Sequence, residues 1–217
     1  MPSVALLGAT GLVGRHCLDL LARDASFSRI VVLARRKFAE ATAPRVEAHI
    51  VDFDRLSDRP DLFGVDQVIS ALGTTIKAVG GSQARFRAVD FEMPLAAAKL
   101  AIGQGARHFL LVSSLGANAH SRVFYNRVKG ELEDALRTLG FRSITIVRPS
   151  LLLGERRDFR LGEEIGKRFA WIVPGRYRPI QARDVAVALV RAAKEDIPGM
   201  RIIESEDLRE MAATSSR

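Results

Sequence analysis

Gly8-Ala9-Thr10-Gly11-Leu12-Val13-Gly14 follows a short apolar run, Val4-Ala5-Leu6-Leu7, and leads into a longer apolar stretch from Val13 to Leu21. A buried strand, a glycine turn and a helix start together place unpaired backbone N–H groups where a phosphate can sit. In that reading Gly8 lets the chain leave the strand in a conformation closed to residues with a Cβ. Gly11 lets backbone approach a pyrophosphate, and Gly14 lets the helix pack close to the strand. Thr10, Leu12 and Val13 fall on the same loop and are candidate contacts with it. The spacing, Gly-x-x-Gly-x-x-Gly, is one residue longer in its first gap than the Gly-x-Gly-x-x-Gly fingerprint, so an ordinary strand-to-helix turn stays open at this point.

The second apolar run, Arg29 to Ala34, ends at Arg35-Arg36-Lys37. In a βαβ unit the end of this strand lies beside the adenosine ribose, where an acidic side chain takes a free 2′-hydroxyl and an arginine accommodates a 2′-phosphate. No acidic residue lies between Leu33 and Ala39, which predicts NADP(H) as cofactor with Arg35 and Arg36 as its phosphate ligands. Ala48 to Phe53 reads as a third strand and Gln67 to Gly73 as a fourth. Asp52 and Phe53 then stand at a strand end where adenine would lie, with a turn role open for Asp52. Ala71-Leu72-Gly73 is where backbone must pass the cofactor.

Further along, Leu56 to Phe63 suits one helical turn or a loop, and Arg85 to Gly103 reads as a helix that Pro94 kinks or divides. His108 to Val112 is a fifth strand followed at once by Ser113-Ser114. Phe124 opens a helix to about Leu139, and Ser143 to Val147 is a sixth strand ending in Arg148-Pro149-Ser150. Phe159 to Phe169 and Arg183 to Lys194 read as helices, Pro174 to Arg178 as a loop, and Met200 to Glu204 as a last short strand before a polar tail. Strands alternating with helices predict an α/β fold, a doubly wound parallel sheet. Residues 1–217 form one domain, and residues 151–217 supply a small substrate-side cap together with the last helix and strand.

Composition narrows the function classes. With 47% hydrophobic and 27% charged residues, the chain has the balance of a folded globular protein. No apolar run approaches the length needed to span a bilayer, so no membrane partner is expected. The single cysteine, Cys17, excludes an internal disulfide and fits a reducing compartment, read here as the cytoplasm. Its position on the apolar side of the first helix makes it a core residue. The net charge of +8 is spread along the chain without a Lys/Arg block, which argues against a nucleic-acid groove and leaves a protein partner open. His16, His49, His108 and His120 show no ligand spacing, so no metal site is expected. A semialdehyde dehydrogenase would need a cysteine nucleophile outside the first helix, which this chain lacks.

Tyr125 and Lys129 are four residues apart and share one helix face. An ammonium held near a phenol favours the phenolate, and a serine hydroxyl on a nearby strand end can hydrogen-bond a substrate oxygen where charge changes, so the set suits general acid–base chemistry. Taken in order, the Gly8 to Gly14 loop, Arg35-Arg36, Ser113-Ser114, Tyr125-x-x-x-Lys129 and Arg148-Pro149-Ser150 resemble a short-chain dehydrogenase/reductase of the atypical or extended type. Gly73-Thr74-Thr75, Ser113 to Ala117 and Val147-Arg148-Pro149 resemble its Tat-interacting-protein-like branch, NADPH-binding relatives of nucleotide-sugar epimerases.

That resemblance implies a Rossmann fold and an NADP(H)-dependent oxidoreductase acting on a small-molecule carbonyl or alcohol. It makes Tyr125 the general acid/base, Lys129 the ribose ligand, Ser114 the carbonyl-orienting group with Ser113 as the alternative, and Pro149 and Ser150 neighbours of the nicotinamide. Two other readings stay open, a non-catalytic NADPH-binding regulator and an epimerase or dehydratase-like enzyme. The chain carries Asp90 where many relatives carry an asparagine. Leu151-Leu152-Leu153, Phe159 and Trp171 are candidates for either the substrate wall or the core.

Overall fold

Runs such as Arg29–Ala34 and His108–Val112 are apolar on both faces, and a parallel sheet covered by helices on two sides is the structure that buries both. In the computed structural model, which describes residues 1–37, 43–153 and 177–214, the chain forms β1 (Ser3–Leu7), β2 (Arg29–Ala34), β3 (Val46–Ile50), β4 (Gln67–Ser70), β5 (His108–Val112), β6 (Ser143–Arg148), β7 (Leu152–Leu153), β8 (Ile180–Gln181) and β9 (Gly199–Glu204). Seven of these make one parallel sheet in the order β3-β2-β1-β4-β5-β6-β9, while β7 and β8 pair with each other.

Alternation along the strands divides the core. Val4 and Leu6 join Val32, Ile69 and Leu110 against α1 (Leu12–Arg23) and the later helix Ala182–Glu195. Ala5 and Leu7 join Val31, Val68 and Phe109 against the helices of the opposite face. Cys17 is fully buried in the first of these halves, and burial pushes its thiol up to about 12, as a small core residue requires. The chain runs outward from β1 to β3 and then crosses back to β4. The crevice at the carboxyl ends of the strands therefore opens between β1 and β4.

The glycine loop closes that switch point tightly. Gly8 has φ +84°, and a Cβ there would stand 2.5 Å from the Ala71 carbonyl oxygen at the end of β4. A Cβ on Gly14 would lie 2.0 Å from the Gly8 carbonyl oxygen, so α1 starts in direct backbone contact with the turn it leaves. Both glycines shape the loop, as the spacing predicts.

Pro94 explains the irregular helix that follows β4. An unbroken α-helix would bond the residue-94 N–H to the Asp90 carbonyl, and proline has no N–H to give. The chain instead runs as α2 (Gln83–Arg87), a π-helical turn over Ala88–Glu92 and α3 (Met93–Gly103), with the Met93 N–H bonded to the Ala88 carbonyl. This turn carries Asp90, which is fully buried. Phe124–Arg137 forms α4, Ala182–Glu195 forms α5 and Ser205–Thr214 forms α6.

Several expectations change. The third strand covers Val46–Ile50 and not Ala48 to Phe53, because the Asp52 carboxylate accepts the Asp54 N–H and starts a 3₁₀ turn. The fourth strand ends at Ser70, leaving Ala71, Leu72 and Gly73 as the segment just past it. The expected polar tail is α6 as far as Thr214. Its Ser205, Leu208 and Ala212 are buried and its Glu206 and Asp207 suit the positive N-terminal end of a helix. Residues 180–214 include the expected late helix and strand, with α5 packed on α1 and β9 joining the sheet. The expected helix from Phe159 to Phe169, and Trp171, lie outside the described residues.

At the opposite end of the sheet from the crevice, His108 is fully buried with Nε2 2.9 Å from the Thr145 hydroxyl and Nδ1 3.1 Å from Asp196, which also pairs with Arg142. Burial outweighs the attraction of Asp196 and lowers the imidazole to about 4. Below the unfolded value of 6.5 the unfolded chain therefore binds more protons than the folded one. Stability falls as pH drops from 6.5 towards 4. Urea unfolding across that range, wild type against His108→Asn, checks it. A slope the variant shares would assign the loss to other groups.

Candidate active site

A cleft of about 800 Å³ lies over the carboxyl ends of β1, β4, β5 and β6. One side is the start of α1, with Gly11, Leu12 and Val13 in the wall. Gly11 offers no side-chain cap and the first turn has no acidic residue, so the N–H groups that an α-helix leaves unpaired at its start have no side-chain partner at this edge of the cleft. This cradle suits a phosphate in charge and shape. Ala71, Leu72 and Gly73 line the cleft where β4 ends, and Thr74 and Thr75 continue that wall.

Across from them α4 presents Tyr125 and Lys129 to the cleft. The Tyr125 ring packs 5.3 Å from the Phe86 ring, centroid to centroid, which holds the half-buried phenol. Lys129 is 3% exposed, with Nζ 2.8 Å from Asp90 Oδ1 and 3.4 Å from the Val112 carbonyl oxygen. An ammonium has three N–H donors, so one remains for a ligand in the cleft. Asp90 Oδ2 accepts the Thr74 N–H at 2.9 Å. Burial lifts the Asp90 carboxyl above its usual range against the pull of Lys129. Burial alone would lower the Lys129 ammonium, but Asp90 first, then Tyr125 and Glu133, hold it above the usual lysine range.

The two serines at the end of β5 part company. Ser113 is buried and donates its hydroxyl to Glu133 Oε1 at 2.5 Å. Ser114 is also buried and lines the cleft, and its hydroxyl has no bonded partner. The oxygen free to meet a ligand is therefore that of Ser114. Pro149 and Ser150 complete this side. Leu151, Leu152 and Leu153 line the cleft as well, with Tyr177 beside them.

Other sequence candidates stand elsewhere. Gly8 and Gly14 form the turn behind the cleft wall, and Thr10 is exposed. Arg35 and Arg36 are exposed at the end of β2 and are not in the cleft wall. Asp52 serves as the turn cap, and Phe53 is 5% exposed in the core, so neither reaches the cleft. Sequence reasoning missed Thr74, Thr75, Asn126 and Tyr177, which line the cleft, and the partners of the strand-end residues, Glu133 and Ser205. Glu133 follows Lys129 by one helical turn, a signal that was available.

No helix among the described residues is long and apolar enough to cross a membrane. A model of the NAD(P)H-binding family matches residues 8–196. HTATIP2 of Rattus norvegicus is 33% identical over 221 residues, spanning 98% of this chain and 90% of that protein. FMP52 of Candida albicans, a protein named as mitochondrial, is 34% identical over 226 residues, spanning 97% and 98%. Among solved structures, MoeE5 in complex with UDP-glucose and NAD superposes with a TM-score of 0.72 at 14% identity, over 99% of this chain and 82% of that one. UDP-glucose 4-epimerase of Thermotoga maritima gives 0.70 at 16%, over 98% and 82%. At these identities the structures speak for the fold alone.

The expected cytoplasmic location is overturned by the relatives named mitochondrial, which include the FMP52 proteins of Emericella nidulans, Candida albicans and Aspergillus niger. One unpaired cysteine excludes a disulfide framework but does not separate one reducing compartment from another. The family match over most of the chain, the near full-length relatives and the parallel sheet with its glycine loop together show that the chain belongs to the NAD(P)H-binding family, in the atypical short-chain dehydrogenase/reductase branch of HTATIP2 and FMP52.

Proposed function

We propose that this protein is an NADP(H)-dependent oxidoreductase that exchanges hydride with a small carbonyl or alcohol. The observation that carries the reading is the convergence on one cleft of Tyr125, the buried Lys129 and the unpartnered Ser114 hydroxyl, opposite the open start of α1. The residues fit the cofactor. The α1 N–H groups take the pyrophosphate, the remaining Lys129 donor takes a ribose hydroxyl, and Gly73, Pro149 and Ser150 border the nicotinamide end. When bound, the dinucleotide supplies or accepts the hydride at C4 of its nicotinamide.

In the reducing direction the Tyr125 hydroxyl donates its proton to the substrate oxygen, and the Lys129 ammonium stabilises the phenolate left behind. Ser114 donates a hydrogen bond to the same oxygen as charge gathers on it. Asp90 balances Lys129, so that cation stays in place in a dry site.

Arg35 and Arg36 are exposed cations without a bonded partner among the described residues, at the strand end where a 2′-phosphate would lie. Their replacement in an Arg35→Ala/Arg36→Ala variant lowers NADPH affinity by about 10- to 100-fold and leaves NADH affinity unchanged. Fluorescence titration with both nucleotides checks this. Equal losses for the two would remove the 2′-phosphate role, and no binding of either to the wild type would remove the cofactor premise. Wild-type binding without turnover across a carbonyl and alcohol screen would favour the regulator.

A further inference from the structure

Glu133 is 1% exposed and lies one turn beyond Lys129 on α4, on the side facing the strand ends. Its two oxygens serve two loops. Oε1 accepts the Ser113 hydroxyl at 2.5 Å and Arg148 Nε at 3.1 Å, and Oε2 accepts Arg148 Nη2 at 2.5 Å. Arg148 also reaches Glu204 at 3.0 Å, and next in the chain the Ser205 hydroxyl accepts the Ser150 N–H at 3.2 Å and donates to the Ser150 hydroxyl at 2.9 Å. One carboxylate thus ties the loop after β5, which carries Ser114, to the loop after β6, which carries Pro149 and Ser150. Those loops face each other across the cleft floor, where the Leu115 N–H bonds the Pro149 carbonyl at 2.9 Å.

We infer that Glu133 is a positioning residue, which by engaging Ser113 and Arg148 together sets the Ser114 hydroxyl and the Pro149-Ser150 segment in register with Tyr125. It touches no ligand itself. The chemistry explains why two adjacent serines behave differently. Ser113 is tied to the carboxylate, so its neighbour is the one that meets a substrate oxygen. A carboxylate is required because the site must accept a hydroxyl and two guanidinium N–H groups at once, which a neutral amide with one acceptor oxygen cannot do. The inference rests on the oxidoreductase reading for its kinetic consequence, but its structural content can be read from bound NADPH alone.

The experiment compares wild type with Glu133→Gln, Glu133→Ala and Ser113→Ala, using NADPH emission as the binding readout and phenanthrenequinone reduction as the kinetic one. Misplacing the serine loop by about an ångström lowers kcat about 100-fold, with KM for the quinone and the NADPH dissociation constant within a few-fold of wild type. The emission of bound NADPH reverts towards that of free NADPH, because the nicotinamide end loses its fixed wall. Ser113→Ala reproduces part of the loss, and Ser113→Ala with Glu133→Gln adds less than the sum of the two, since both act through one contact. A Glu133→Gln protein with a lower melting temperature but wild-type kcat and NADPH emission would make Glu133 a stabilising ion pair and overturn the inference.

If Glu133→Ala fails to fold, the glutamine and Ser113 variants still decide. If the wild type binds NADPH but turns over neither the quinone nor any substrate of the carbonyl and alcohol screen, the oxidoreductase reading loses its support, while the emission comparison still tests Glu133. Absence of NADPH binding by the wild type overturns both.

Discussion

Tyr125→Phe lowers kcat by about 10²- to 10⁴-fold, the range for loss of a positioned general acid, while NADPH affinity and melting temperature stay near wild type. The substitution removes one hydroxyl and keeps the ring that packs 5.3 Å from Phe86, so the start of α4 keeps its aromatic contact. Lys129 keeps Asp90 and the Val112 carbonyl, neither of which involves the phenol. The defect is therefore confined to the step in which a proton reaches the substrate oxygen, and it appears in kcat and kcat/KM alike. Steady-state kinetics with a nucleotide titration on the same preparation measure both halves. Retained turnover would reduce Tyr125 to a half-buried helix residue and move the acid elsewhere. Loss of NADPH binding together with turnover would make it a structural or cofactor contact.

Much of this is legible in the sequence, because it rests on local rules. Gly8 and Gly14 could be assigned separate roles from spacing alone; Gly8 has φ +84°, and a Cβ on Gly14 would meet the backbone of Gly8 and Ala9 in the turn. The four-residue gap from Tyr125 to Lys129 placed the two on one helix face, and both line the cleft. What stayed hidden depends on residues far apart in the chain. The resemblance placed Ser114 first and kept Ser113 as the alternative, and the physical reason to separate them is the contact of Ser113 with Glu133, 20 residues on. Asp52 and Phe53 sit at a strand end as the βαβ rule asks, but Phe53 goes to the core because a buried aromatic gains more from packing than from a ligand edge. The last helix escaped because its apolar stripe is only Leu208, Met211 and Ala212 among charged neighbours. Its partner surface is α5, which no local pattern announces. The location was misjudged because a cysteine count reports redox state and carries no address.

Asp90 is fully buried with one oxygen 2.8 Å from the Lys129 ammonium, so its contribution is a matter of charge. Asp90→Ala removes the only carboxylate that pairs with Lys129 among the described residues and leaves an ammonium 3% exposed with one carbonyl for company. Stranding one member of a buried pair costs about 3–5 kcal/mol, so urea unfolding shifts by that amount. Replacing both partners is a different experiment. In Asp90→Leu/Lys129→Met no charge is stranded, and most of the stability returns even though the ribose contact proposed for Lys129 is gone. Asp90→Asn falls between, since an amide oxygen can still accept the Thr74 N–H or a Lys129 donor but brings no negative charge. The double variant therefore separates the two jobs of the pair, stability recovered and NADPH affinity lost. A single-variant loss below about 1 kcal/mol would mean that the Lys129 side chain leaves the pocket for solvent, and with it the fixed cation beside Tyr125 on which the proton transfer relies.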